Sequence, residues 1–445
     1  MAPRRRTVLA AVLTATASAA AGCTDLLAEQ TSDDGSNTPT DVATALVDDL
    51  ASEEFEQANN RFVERERDRR GDPARLERLW MGYGAVSGSF DEVVDTSTTT
   101  KNGFTAVDLT LAFDRGDHDC RIIVDEESRL VDCGITDEYE RPSYVDPDAI
   151  ATQDVTLSVA DCSLPGTITT PDGNSGDAPG VVLVHDVGPG TKDTDRGGTK
   201  PFTDLGEGLA TKGVATLRYD KRIPSCEVQP ESYTLDRVTV DDALVAVERL
   251  RAVEGVDADR IVVVGHGLGG RATPRIAARD GNLAGVAGLA APARPYHDLT
   301  LEQLEYKVSV GSQTWDDLAT IADRWADEIE QVRAGEYDAS EELLGKPGAF
   351  WDSLAAYDHL ATAAGSDVPT YFLQGERDFQ VTTTDDLDHW QTELEGRSGT
   401  TFETYDALDH LFMPGEGPSV EFAYAARNNV AEQVVADLAD WIADR

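Results

Sequence analysis

From Asp154 onward the chain alternates short runs of apolar, largely β-branched residues with longer stretches whose apolar positions recur at helical spacing. Gly180–His185, Val214–Arg218, Ile261–Val264, Gly285–Ala290, Thr370–Gln374 and Thr401–Tyr405 read as strands, with Val155–Ala160 and Thr167–Thr169 as leading strands. Phe202–Thr211, Arg237–Leu250 and Arg271–Ala278 read as helices between them. Four consecutive β-branched residues at Ile261–Val264 predict a strand covered on both faces, as in a parallel sheet. The pattern predicts an α/β fold over residues 154–445, a doubly wound, mostly parallel sheet with active groups at the carboxyl ends of its strands. Between Tyr296 and Asp367 helical stripes interrupt the alternation, among them Trp315, Leu318, Ile321, Trp325 and Ile329. They form either a cap over the crevice or packing against its side.

Residues 41–134 show a different pattern. Val42, Leu46, Leu50 and Phe55 make one helical stripe, and Leu76, Leu79 and Trp80 a second after Asp72-Pro73. Strand-like runs follow at 85–90, 104–113, 120–124 and 129–133, which predicts a small α+β domain. His118, between two aspartates in a Gly-Asp turn, reads as solvated. A Tyr- and Pro-rich link, Tyr139–Pro147, leads to the larger domain.

Composition narrows the partners. The 445 residues carry 83 acidic against 38 basic side chains, a formal charge of −45. Such a surface repels nucleic acid and anionic headgroups, and it resembles the surfaces of proteins that work in molar salt. Arg4-Arg5-Arg6 before an apolar stretch too short to span a membrane reads as an export signal of twin-arginine type. Ala20-Ala21-Gly22-Cys23 resembles a lipobox, so residues 1–23 read as a signal peptide, Cys23 as the lipidated residue and residues 24–40 as a flexible tether. The expected location is the outer face of the cell membrane, lipid-anchored, or secreted. Outside the cell the remaining cysteines can form two disulfides. A hairpin symmetric about Glu126-Glu127 places Cys120 opposite Cys133; Cys162 and Cys226 are what remains, and buried free thiols are the alternative.

Candidate chemistry sits at three strand ends. After Ile261–Val264 comes Gly265-His266-Gly267-Leu268-Gly269-Gly270, a strand–turn–helix spacing that matches a nucleophile elbow, G-x-S-x-G, with Gly267 at the serine position. Asp378 follows the strand at Thr370–Gln374, and His410 lies in the loop after the last strand. Nucleophile, acid, histidine is the chain order expected of such a site. Asp378 would orient His410, and His410 would act as the base.

Together with Val184-His185, Gly188-Pro189, Arg218-Tyr219-Asp220-Lys221-Arg222, Gln374-Gly375-Glu376-Arg377-Asp378 and His410-Leu411-Phe412, the elbow gives the chain a resemblance to the alpha/beta-hydrolase superfamily. It resembles secreted esterases and dienelactone-hydrolase relatives that carry a small front domain. The resemblance implies hydrolysis of small carboxylic or acyl esters through an acyl-enzyme, with no cofactor and no metal. Two departures fall in the one pocket. Glycine at 267 cannot attack or be acylated. At the first oxyanion loop, where the family has a glycine after the histidine, this chain has Asp186-Val187; an inward Asp186 would repel the developing negative charge, leaving the Leu268 N–H as the second donor. The expected function is a degenerate hydrolase that binds a small acyl or ester ligand with weak or no turnover. The alternatives are an active esterase using water activated by His410 and Asp378, or an extracellular structural protein.

Overall fold

The computed structural model describes residues 38–160, 162–173, 177–311 and 315–445. The export signal, Cys23 and most of the tether lie outside the described residues. Among these no helix is long and apolar enough to cross a membrane.

The front unit holds α1 (Pro39–Ala51), α2 (Phe55–Asn60) and α3 (Pro73–Ser87), then β1 (Phe90–Lys101), β2 (Phe104–Phe113), β3 (Gly116–Asp125) and β4 (Leu130–Ile135). The first stripe is two helices, because Glu53 turns the chain with φ 58°. Its start is fixed by a capping box in which Thr38 and Asp41 satisfy each other's backbone N–H groups. Asp72 caps α3 through the Arg75 N–H at 2.9 Å. Residues 85–87, expected as strand, finish that helix, and the polar β1 escaped a reading based on apolar runs. The four strands form an antiparallel sheet in sequence order, with the helices packed on its apolar face.

Two expectations fail here. His118 is not solvated: β3 begins at Gly116, so His118, Cys120, Ile122 and Val124 alternate onto the buried face. Its Nε2 lies 2.7 Å from Ser87 Oγ and its Nδ1 2.5 Å from Asp137 Oδ2. Asp137 also accepts the N–H groups of Asp119 and Arg427, each at 2.6 Å, so this network joins the front sheet to the C-terminal part of the chain. The Cys120–Cys133 disulfide is absent as well; both are buried free thiols. The turn offsets the β3–β4 register by one residue and a bulge at Ile123/Val124 by another, so Cys120 faces Ile135 and Cys133 faces Ile122. The bonded pair is Cys162–Cys226.

The large unit comprises β5 (Ile150–Val159), β6 (Cys162–Pro171), β7 (Ala178–Val184), α4 (Pro201–Thr211), β8 (Ala215–Tyr219), a short α5 (Arg222–Ser225), α6 (Asp241–Arg251), β9 (Val256–His266), α7 (Leu268–Asp280) and β10 (Gly285–Leu289). After α8 (Tyr296–Val310) and α9 (Trp315–Ala334) come a two-residue hairpin, β11 (Glu342–Leu343) and β12 (Lys346–Pro347), then α10 (Gly348–Ala355) and α11 (His359–Ala364). The chain closes with β13 (Thr370–Gly375), α12 (Asp388–Glu393), β14 (Thr400–Tyr405) and α13 (Glu432–Ala443). The eight-stranded sheet runs β14-β13-β10-β9-β7-β8-β6-β5, parallel from β14 to β8 and antiparallel at the β6–β5 edge. Alternate residues of β9 enter opposite cores, Ile261 and Val263 on one face, Val262 and Val264 on the other. That is the architecture expected from the alternation.

Candidate active site

The site gathers at the carboxyl ends of β7, β9, β13 and β14. The chain leaves β9 at His266 and enters α7 at Leu268, so one residue must make the whole turn. That residue is Gly267, with φ 54° and ψ −121°, a backbone conformation that costs a side-chain-bearing residue about 1–3 kcal/mol. Gly265 is required by proximity, since a Cβ there would lie 2.3 Å from the Gly269 carbonyl oxygen.

Asp378 and His410 meet as expected. His410 Nδ1 lies 2.8 Å from Asp378 Oδ2. The carboxylate is held on its other sides by Gln374 Nε2 at 3.0 Å and by the N–H groups of Gln380 and Val381 at 2.7 and 3.0 Å. Gln374, the last side chain of β13 before Gly375, has a positioning role that the sequence reading did not assign. The loop carrying His410 is shaped by Asp409, which accepts the Leu411 and Met413 N–H groups.

Asp186 decides the character of the pocket. It turns inward: its Oδ1 accepts the Leu268 N–H at 2.7 Å, and its Oδ2 stands 3.6 Å from His410 Nε2. The second distance is an ion-pair contact too long for a hydrogen bond. His410 Nε2 therefore has no hydrogen-bond partner among the described residues. A Cβ at position 267 would lie 2.2 Å from Asp186 Cγ. The carboxylate thus fills the space that a serine side chain would need and takes up the Leu268 N–H beside it. Val187, the other residue of that loop, packs half-buried against the core.

Charges compensate locally. Burial alone would lower the His410 pKa, but Asp378 and Asp186 outweigh it and carry the imidazole up to about 10. Burial would likewise raise the Asp186 carboxyl, yet the neighbouring histidines and the Leu268 N–H hold it below the usual carboxylate range. Burial, reinforced by His410, pushes His266 down to about 4. The Lys221 ammonium donates to the Asp186 backbone carbonyl, and burial pulls its pKa down to about 8. Next to it Arg222 forms a buried pair with Asp242.

His266, beside the elbow, packs against the His410 ring. Its Nε2 lies 2.8 Å from the His410 carbonyl, and its ring centroid 4.5 Å from that of His410. Thr273 Oγ1 donates to the Gly270 carbonyl at 2.8 Å, and Cys226 is in the disulfide. Among the aromatic residues, Trp351 and its neighbour Tyr296 join the core on the elbow side of the sheet. Phe372, Phe379, Trp325 and Phe412 belong to other clusters.

Esterase EstD of Thermotoga maritima is 33% identical to this chain over 401 residues, which span 89% of the chain and 93% of that protein. The chain belongs to the esterase-like alpha/beta-hydrolases. Solved structures similar to this alpha/beta-hydrolase include Est1E from Butyrivibrio proteoclasticus, 13% identical, covering 66% of this chain and 99% of that one with a TM-score of 0.42. An esterase of Pyrococcus furiosus, also 13% identical, covers 69% and 97% with a TM-score of 0.42. No family model matches the sequence.

Proposed function

We propose that this protein is a non-acylating member of its family: it retains the hydrolase pocket, binds a small acyl or carboxylic ester there, and turns it over weakly or not at all. The observation that carries this reading is the Asp186 carboxylate, seated on the Leu268 N–H in the volume a nucleophile would occupy. A carboxylate in that position mimics the charge of a tetrahedral intermediate and competes with a real one for the same donor. The disulfide fits an exported chain, and we assign the protein to the outer membrane face through Cys23.

The test is hydrolysis of short-chain p-nitrophenyl esters in molar salt by wild type, Gly267→Ser, and Gly267→Ser combined with Asp186→Gly. The expected result is near-background turnover by wild type and a gain only in the double variant. Brisk wild-type turnover would overturn it. A second reading, hydrolysis by water activated at His410, draws on the unpartnered Nε2; it requires wild-type turnover that His410→Ala abolishes.

A further inference from the structure

We propose that Asp186, His266 and His410 form a site for one borderline divalent transition-metal ion of the Zn²⁺ class, built into the pocket that lacks a serine. The inference rests on the reading above only in that position 267 is empty of a side chain. One donor atom from each of the three residues lies within 4.8 Å of the others. Two imidazoles and a carboxylate with one further position open are the donor set of catalytic zinc sites.

Each ligand is already oriented by a second interaction, as metal ligands are. His410 gives Nδ1 to Asp378 at 2.8 Å and turns Nε2 into the pocket without a hydrogen-bond partner among the described residues. His266 gives Nε2 to the His410 carbonyl at 2.8 Å, which leaves its Nδ1 as the nitrogen with a lone pair. Asp186 anchors Oδ1 on the Leu268 N–H and leaves Oδ2 toward His410. Bond lengths of about 2.0–2.2 Å at a tetrahedral angle put two donors roughly 3.4 Å apart. The Oδ2–Nε2 distance of 3.6 Å matches that spacing. The Asp186 side chain is 28% exposed, so an ion has a way in.

The Lys221 and Lys346 ammonium groups act on the Asp186 charge from outside the ligand set. Lys221 binds the Asp186 backbone carbonyl rather than its carboxylate. Gly267 matters twice, because a Cβ there would drive Asp186 out of position.

The experiment uses the full chain, stripped with a chelator and titrated with Zn²⁺ by calorimetry and with Co²⁺ by visible absorption. Molar KCl suppresses diffuse binding to the acidic surface. The expected result is one ion per chain, with a low-symmetry Co²⁺ band and a Kd in the micromolar range or tighter. Asp186→Ala and His266→Ala should each weaken binding at least about 100-fold while melting cooperatively, and Gly267→Ser should weaken it by displacing Asp186. The Co²⁺ band on wild type needs no variant to fold. Absence of a stoichiometric ion, or binding unchanged in the Asp186→Ala, His266→Ala double variant, would overturn the proposal. No turnover is measured, so this result stands apart from the ester test: a missing metal leaves the closed serine site untouched, and an active wild type leaves the ion count untouched.

Discussion

Restoring the serine alone should fail, and the amount by which it fails measures Asp186. At Gly267 an added Cβ lies 2.2 Å from both Cγ and Oδ1 of Asp186, where ordinary contact begins at 3.4 Å. The carboxylate must retreat by about 1.2 Å or the elbow must deform. Gly267→Ser also places a side chain at φ 54°, adding about 1–3 kcal/mol of strain. If the carboxylate stays on Leu268, it blocks a donor whose loss costs roughly 10²–10³ in kcat, about 2.7–4 kcal/mol. Asp186→Gly alone has no nucleophile and should stay at background. The double variant should exceed Gly267→Ser by at least about 100-fold in kcat/KM, with a coupling energy near 3 kcal/mol in the double-mutant cycle. Initial rates with p-nitrophenyl acetate, on variants shown by circular dichroism to be folded, give all four corners. A single Gly267→Ser as active as the double variant would refute the reasoning, since Asp186 would then move aside freely.

Other consequences follow from parts of the molecule away from the elbow. Reducing Cys162–Cys226, or replacing both by serine, opens a loop of 64 residues; the chain-entropy relation gives about 4 kcal/mol of lost stability, readable as a lower urea midpoint. Asp204 is fully buried, and desolvation pushes its pKa up to about 7 despite bonds from Tyr139 and the Val430 N–H. A raised folded-state pKa favours the fold below about pH 4 and withdraws that support as pH rises through 7, by up to about 4 kcal/mol. Asp204→Asn should flatten the pH dependence of stability in that window relative to wild type; an unchanged difference curve would contradict it. With a formal charge of −45, the melting temperature should fall as KCl drops from about 1 M to 0.01 M, where the screening length grows from about 3 to 30 Å. A flat salt profile would remove the case for salt adaptation.

Much of this was legible from residue pattern. The parallel strands, the elbow and the meeting of Asp378 with His410 followed from β-branched runs and chain order, because strand ends in a doubly wound sheet converge by topology. What escaped depends on register or on side-chain direction. The Cys120–Cys133 pair failed by two residues of register, one from the turn and one from a bulge, and apolar periodicity is blind to both. His118 was misread because its flanking aspartates suggested solvent, although the alternation with Cys120, Ile122 and Val124 carried the opposite signal. Asp137, its partner, lies just past the end of β4, ahead of the link, where no periodicity marks it. His266 escaped because its bond to the His410 carbonyl depends on side-chain direction.

The two departures at the pocket are one physical change. Asp186 can occupy its position only while residue 267 has no Cβ, because carboxylate and Cβ would otherwise stand 2.2 Å apart. Without the Asp186 carboxylate the Leu268 N–H would lose its acceptor, and a buried donor left unsatisfied costs about 1–3 kcal/mol. Asp186 satisfies that donor and stands 3.6 Å from His410 Nε2. Asp186→Gly and Gly267→Ser should therefore each lower stability when made alone. A chance loss of serine from a working esterase predicts the opposite for Asp186: an oxyanion loop still built for an incoming carbonyl, with no carboxylate on the Leu268 N–H. The carboxylate is there, and with His266 and His410 it makes a charged, histidine-lined site.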